Sequence, residues 1–115
     1  MRLRIMNGAG RLTPGDNETL WTQVQRLEAL AHALGSDDAE LEVGFAALPN
    51  EAGYTAELLF GMGEHVFAAE RRGASSRGVL KGAFSDLQQQ IDALPLSPAD
   101  RWRATLARRG EALRN

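Results

Sequence analysis

Two segments in which apolar residues alternate with polar or small ones constrain the fold most. Leu41, Val43 and Phe45 alternate with such residues, and residues 54–60 repeat the two-residue period. Successive side chains of a strand point to opposite faces, so this period predicts two strands that bury one face of a sheet and leave the other in water. Residues 61–64 contain two glycines and predict a hairpin turn into a further strand.

The rest of the pattern predicts two helices and two more strands. Apolar residues at three- and four-residue spacing predict amphipathic helices at about 14–34 and 76–93. Thr13 is a suitable N-cap for the first of them. Strands are predicted at 2–6 and 66–71. The expected fold is therefore α+β, a β-α-β-β-β-α two-layer sandwich with a four-stranded sheet and two helices on one face.

The C-terminal segment predicts a short additional helix. Two prolines within 95–98 end the second helix, and a basic helix at about 98–109 should then stop at Gly110. A chain of 115 residues fits one domain with an extra element. We expect a β-α-β-β-β-α domain over 1–94 and a basic helical tail over 95–115.

Charge is distributed unevenly along the chain. Residues 1–70 hold four arginines against eleven acids, whereas residues 71–115 hold nine basic residues against four acids, and the net charge is −2. Such an asymmetry indicates an acidic partner such as nucleic acid. The alternative is that the basic residues only form a solvated surface, since most exposed charges contribute little to stability.

The sequence offers no set of residues for catalysis or metal binding. It has no cysteine, and His32 and His65 stand apart without other ligands at metal spacing. No nucleophile, base and acid can be assembled from it, so we predict no enzyme activity, metal, cofactor or small-molecule substrate. It has no apolar run of membrane-spanning length and no signal-peptide pattern at its N-terminus, which predicts a cytoplasmic protein without membrane contact.

The order of the elements and several local motifs resemble the hibernation-promoting factor and ribosome-associated inhibitor (protein Y) family. The likeness extends over about residues 1–94. The residues that carry it are Met1, Leu3, Ile5, Thr13, 24–28 and 79–91. Residues 24–28 (VQRLE) resemble the family's apolar-x-basic-Leu-Glu element, which places Arg26 at its basic position.

This resemblance implies a domain that sits on the small ribosomal subunit, in the channel used by messenger and transfer RNA, and silences translation in stressed or resting cells. It also implies that basic residues on both helices face ribosomal RNA. The second helix of the family usually ends in several basic residues, whereas residues 88–94 of this chain contain none. Either other basic residues replace them, or the domain binds something else.

The candidate RNA-binding residues combine the position given by the resemblance with the basic C-terminal part. They are Arg26, Arg71, Arg72, Arg77, Lys81, Arg101, Arg103, Arg108 and Arg109. Arg71 and Arg72 should end the fourth strand. Arg77 and Lys81 lie one helical turn apart, so a single patch of four charges near a helix N-terminus is expected.

Two other functions remain open. A protein-interaction module on the same fold would use the apolar line of the third helix, Trp102 and Leu106, to dock a partner or a second copy of the chain. Double-stranded RNA binding is the second, since a helix, three strands and a helix is also the element order of that domain. Against it, the second helix opens with Ser-Ser-Arg-Gly at 75–78 rather than with a lysine cluster.

Overall fold

A computed structural model describes residues 1–7, 12–48 and 53–114, with side chains described for all of these except 7 and 108–114. Its elements are β1 (Arg2–Asn7), α1 (Pro14–Ala33), β2 (Glu40–Ala47), β3 (Tyr54–Met62), β4 (His65–Gly73), α2 (Ser76–Asp92) and α3 (Pro98–Arg114). The predicted α+β order is confirmed, and each predicted element is present with its ends shifted by a few residues.

The four strands form one mixed sheet in the order β1-β2-β3-β4. β1 and β2 are parallel, and α1 supplies the crossover connection that a parallel pair needs, whereas the two later pairs are antiparallel. The predicted hairpin turn lies between Met62 and His65, which are paired. Gly63, the first of its two residues, has a φ of +61°, the backbone conformation that a two-residue hairpin turn assigns to glycine.

A capping box begins α1. The hydroxyl of Thr13 accepts a hydrogen bond from the backbone N–H of Asp16 at 3.1 Å, and the Asp16 carboxylate accepts one from the N–H of Thr13 at 3.4 Å. Asp16 is only 2% exposed and is the one charged side chain buried in the described part of the chain. An acidic side chain in the first turn satisfies the N–H of the N-cap residue and interacts favourably with the helix dipole.

The core lies between the helices and one face of the sheet. A cross-strand row of Leu41, Phe60 and Phe67 is buried there, and α2 covers β3 and β4 with residues such as Leu80 and Leu87. The alternate side chains of the strands point to the opposite side, which no described element covers. We call the two sides the helix layer and the open face.

α3 differs from its prediction in length and continues to Arg114, so the predicted stop at Gly110 is wrong. A glycine inside a helix costs only about 1 kcal/mol relative to alanine. Good helix formers follow it at 111–114, and no proline ends the helix. α3 packs on α1, and its Ala104 joins the core. The division of the chain near residue 94 stays a prediction.

Candidate nucleic-acid interface

The two arginines at the end of β4 point to opposite sides of the sheet. Arg71 is paired with Ala56, which is fully buried beneath the helices, whereas Arg72 is paired with Thr55 on the other side. Because side chains alternate along a strand, Arg71 belongs to the helix layer and Arg72 to the open face. The predicted single patch of four charges is therefore divided, with Arg72 separated from Arg71 and the α2 cations.

Arg71 forms a two-pronged ion pair with Asp86 of α2. Its Nε and Nη2 atoms lie 2.6 and 2.8 Å from the two carboxylate oxygens. Hydrogen bonding holds the pKa of Asp86 below its usual value and raises that of Arg71. The stem of Arg71 crosses α2 at Gly82, where a Cβ would lie 3.3 Å from Arg71 Cγ. Arg71 thus ties β4 to α2, and two of its guanidinium nitrogens are already engaged.

Arg77 and Lys81 are free cations one turn apart on α2. Both side chains are exposed, and neither forms an ion pair with another described residue. Arg77 reaches across to the first turn of α1, because its Nη2 atom lies 2.5 Å from the place that a Cβ on Gly15 would take. The first turns of α1 and α2 are therefore neighbours, with a guanidinium between them.

The other candidates lie on α1 and α3. Arg26 and Arg101 are exposed and have no ion-pair partner in the described ranges. Arg103 is held by Asp100, at 3.2 Å from Nη1 to Oδ1. Arg108 and Arg109 are on the α3 backbone, but their side chains lie outside the described residues. The helix layer thus presents four unpaired described cations: Arg26, Arg77, Lys81 and Arg101.

The open face carries acids, although no functional residue was predicted among them. Glu40 and Glu42 lie there, and their partners are Arg2 at 2.6 Å and Arg4 at 3.7 Å. Arg72 is likewise 3.7 Å from its neighbour Glu70. The signal was present in the sequence, because these acids occupy the polar positions of the alternating strands. Each of these arginines of the open face therefore lies beside a carboxylate, whereas the helix layer presents cations without an ion-pair partner among the described residues.

Two of the three glutamines at the end of α2 have side-chain partners within the fold. The amide of Gln90 donates to the backbone oxygen of Ala68 in β4 at 2.6 Å, and that of Gln88 donates to Asp92 at 3.0 Å. The last turn of α2 contains no basic residue. This end of the helix therefore makes contacts with the sheet edge and along the helix, and the basic residues of α2 all lie in its first half.

The histidines occupy ordinary surface positions. Nδ1 of His32 lies 3.2 Å from Asp37 in an exposed pair, and the ring of His65 stacks near that of Phe67. Within the described ranges, no group of three or more histidine, aspartate or glutamate side chains is placed to hold a metal ion. No helix there is long and apolar enough to cross a membrane.

Comparison with known proteins finds relatives in structure but not in sequence. No protein-family model matches the chain, and no curated protein matches it. A ribosomal subunit interface protein from Coxiella burnetii superposes with a TM-score of 0.60 and 10% identity, covering 80% of this chain and 94% of that one. The protein Y N-terminal domain from Thermus thermophilus superposes with a TM-score of 0.63 and 13% identity, covering 79% of this chain and 96% of that one.

At these identities the likeness shows the fold alone. The two matched structures are covered almost completely, while about a fifth of this chain has no counterpart in them. The resemblance to the protein Y family seen in the sequence is therefore confirmed at the level of fold: this chain has the architecture of a ribosomal subunit interface protein, with additional residues of its own.

Proposed function

We propose that this protein is a cytoplasmic, ribosome-associated regulator of translation that contacts ribosomal RNA and silences the small subunit in stressed or resting cells. It works by occupancy, without catalysis or a cofactor. The observation that carries the proposal is the agreement of the fold, over about four fifths of the chain, with a ribosomal subunit interface protein and with protein Y.

The charge distribution supports contact through the helix layer. Arg26, Arg77, Lys81 and Arg101 project from three helices and have no ion-pair partner among the described residues. Free cations can neutralise phosphates and release counterions, which is the main source of sequence-independent affinity for nucleic acid. The open face has acids beside its arginines and is unsuited to that role. The RNA-facing side is thus the helix layer.

The proposal is tested by equilibrium binding of fluorescently labelled protein to isolated small and large ribosomal subunits at two salt concentrations. We expect preferential binding to small subunits, weakening with salt, and inhibition of cell-free translation at protein concentrations that saturate them. Absence of binding to small subunits at low salt would overturn the proposal. Binding without inhibition of translation would remove the silencing step.

One observation favours a second candidate, a non-enzymatic protein-interaction module that has lost ribosome binding. Trp102 and Leu106 lie one turn apart on α3 and are both exposed. Together with the absence of basic residues in the last turn of α2, they suit docking of a protein partner. Failure to bind small subunits would favour this candidate.

A further inference from the structure

Large apolar side chains are exposed in two separate regions of the described structure. The open face carries Met6, Leu59 and Val66, and the helices carry Trp21, Trp102 and Leu106. Exposed apolar residues that are scattered singly need no explanation, whereas grouped ones mark interaction surfaces. Both regions are therefore candidates for docking.

The open face contains a shallow groove with a volume of about 430 Å³. Gly44 and Ala68 contribute to its floor, where small side chains leave room, and Met6 and Leu59 flank it. No basic residue is among its described lining residues. Small and apolar side chains line its centre, and its volume is large enough to receive a large side chain.

Acids surround this apolar centre. Glu42, Glu57 and Glu70 line the groove. Glu57 and Glu70 are directly opposite each other on neighbouring strands, an arrangement of like charges that is unfavourable. Glu70 lies 3.7 Å from Arg72, whereas Glu57 has no ion-pair partner among the described residues. A cationic ligand with an apolar stripe would relieve the repulsion and cover the apolar centre.

α3 has that chemistry. Trp102 and Leu106 are one turn apart and share a face, with Trp102 56% exposed. Five arginines are distributed over α3 against two acids, giving the helix a positive charge. The helix therefore combines large apolar side chains with positive charge, and positive charge is what the groove lacks.

A molecule cannot insert α3 into its own groove. α3 packs on α1, in the helix layer, while the groove is on the opposite side of the sheet. The occupant has to come from another molecule. We propose that α3 of one copy docks in the groove of a second copy, with Trp102 and Leu106 over Leu59 and α3 arginines facing Glu57 and Glu70.

This contact uses a different surface on each copy, so it is head-to-tail. Each pair leaves one groove and one α3 unoccupied, and association continues with concentration unless a ring closes. The docked charges are partly exposed, so added salt weakens the contact. The inference is independent of ribosome binding, because it requires no RNA.

Sedimentation velocity of the full chain over a wide range of protein concentration tests self-association. We expect the average mass to rise with concentration at about 50 mM salt and to fall toward that of the monomer at about 500 mM. Leu59→Lys should abolish the rise, and so should Trp102→Ala combined with Leu106→Ala. Trp21→Ala is the matched control, because Trp21 is also an exposed helical tryptophan, at 49%, and it should associate as the original protein does.

Glu57→Lys provides a second groove variant. It replaces the repulsion between Glu57 and Glu70 by attraction, so the fold is retained while the negative charge of the groove is reduced. We expect it to lose association. Circular dichroism and thermal melting confirm that each variant is folded before its mass is measured.

Mixing two defective variants distinguishes a head-to-tail contact from a symmetric one. Leu59→Lys keeps a functional α3, and the Trp102→Ala, Leu106→Ala variant keeps a functional groove. Native mass spectrometry of the mixture should show a one-to-one heterodimer that does not grow, although each variant alone is monomeric. A monomeric original protein at every concentration, unchanged association of folded Leu59→Lys, or a mixture without heterodimer would overturn the proposal.

Discussion

Neutralising the free cations on α2 should weaken binding to the small subunit in a salt-dependent way. Arg77→Gln with Lys81→Gln removes two charges that have no ion-pair partner among the described residues. Both side chains are exposed, so the change leaves the core intact. Each phosphate contact contributes about 0.7 to 0.9 to the slope of log K against log salt, so losing two should lower its magnitude by roughly 1.4 to 1.8. Over a fourfold change in salt, that difference amounts to roughly tenfold in relative affinity.

The assay is equilibrium binding to small subunits at four or more salt concentrations. Arg2→Gln with Arg4→Gln is the matched control, since it makes the same change in net charge on the open face. We expect the control to keep the slope of the original protein. Equal slopes for the α2 variant and the original protein, or an equal decrease in the control, would refute the assignment of RNA contact to this part of the helix layer.

Three further expectations concern stability. Asp16→Ala removes half of the capping box of α1 and should lower the free energy of unfolding by about 1 kcal/mol in urea denaturation; an unchanged midpoint would contradict this role. Because the pKa of Asp86 is depressed by Arg71, their pair contributes stability above the pKa of an unfolded aspartate, about 4, and loses it as pH falls through the lower folded value. Asp86→Asn should therefore reduce the loss of stability below about pH 4 in acid titration, and an identical acid limb would argue against the pair. Gly63→Ala should cost about 1 kcal/mol in thermal unfolding because of the positive φ, and no cost would mean that the turn adopts another form.

Local sequence patterns were sufficient to predict most of the fold. The alternation in β2 and β3 and the helical spacing in α1 and α2 each depend on neighbouring residues only, and so does the cap at Thr13. The predicted end of α3 was wrong because a single glycine was taken to end the helix, although the residues after it favour a helix.

The candidate site was harder to predict than the fold, because it depends on the pairing register between strands. In β4 the run at 65–69 has apolar residues on both sides, so sequence did not decide which face is buried. Pairing with β3 turns Phe67 inward, which sends Arg71 to the helix layer and Arg72 to the open face. The opposition of Glu57 and Glu70 also arises only when two strands are aligned. Contacts between distant residues are what local periodicity leaves undetermined.

The most direct test of the account asks which side of the protein faces ribosomal RNA. The chain has no cysteine, so a single introduced cysteine can carry a tethered hydroxyl-radical probe. Ser85→Cys places the probe on the exposed side of α2, one turn beyond Lys81. Val66→Cys places it on the open face, where Val66 is 70% exposed. With small subunits bound, the account predicts cleavage of ribosomal RNA from Ser85→Cys and much weaker cleavage from Val66→Cys. Cleavage mainly from Val66→Cys, or none from either probe on bound protein, would contradict it.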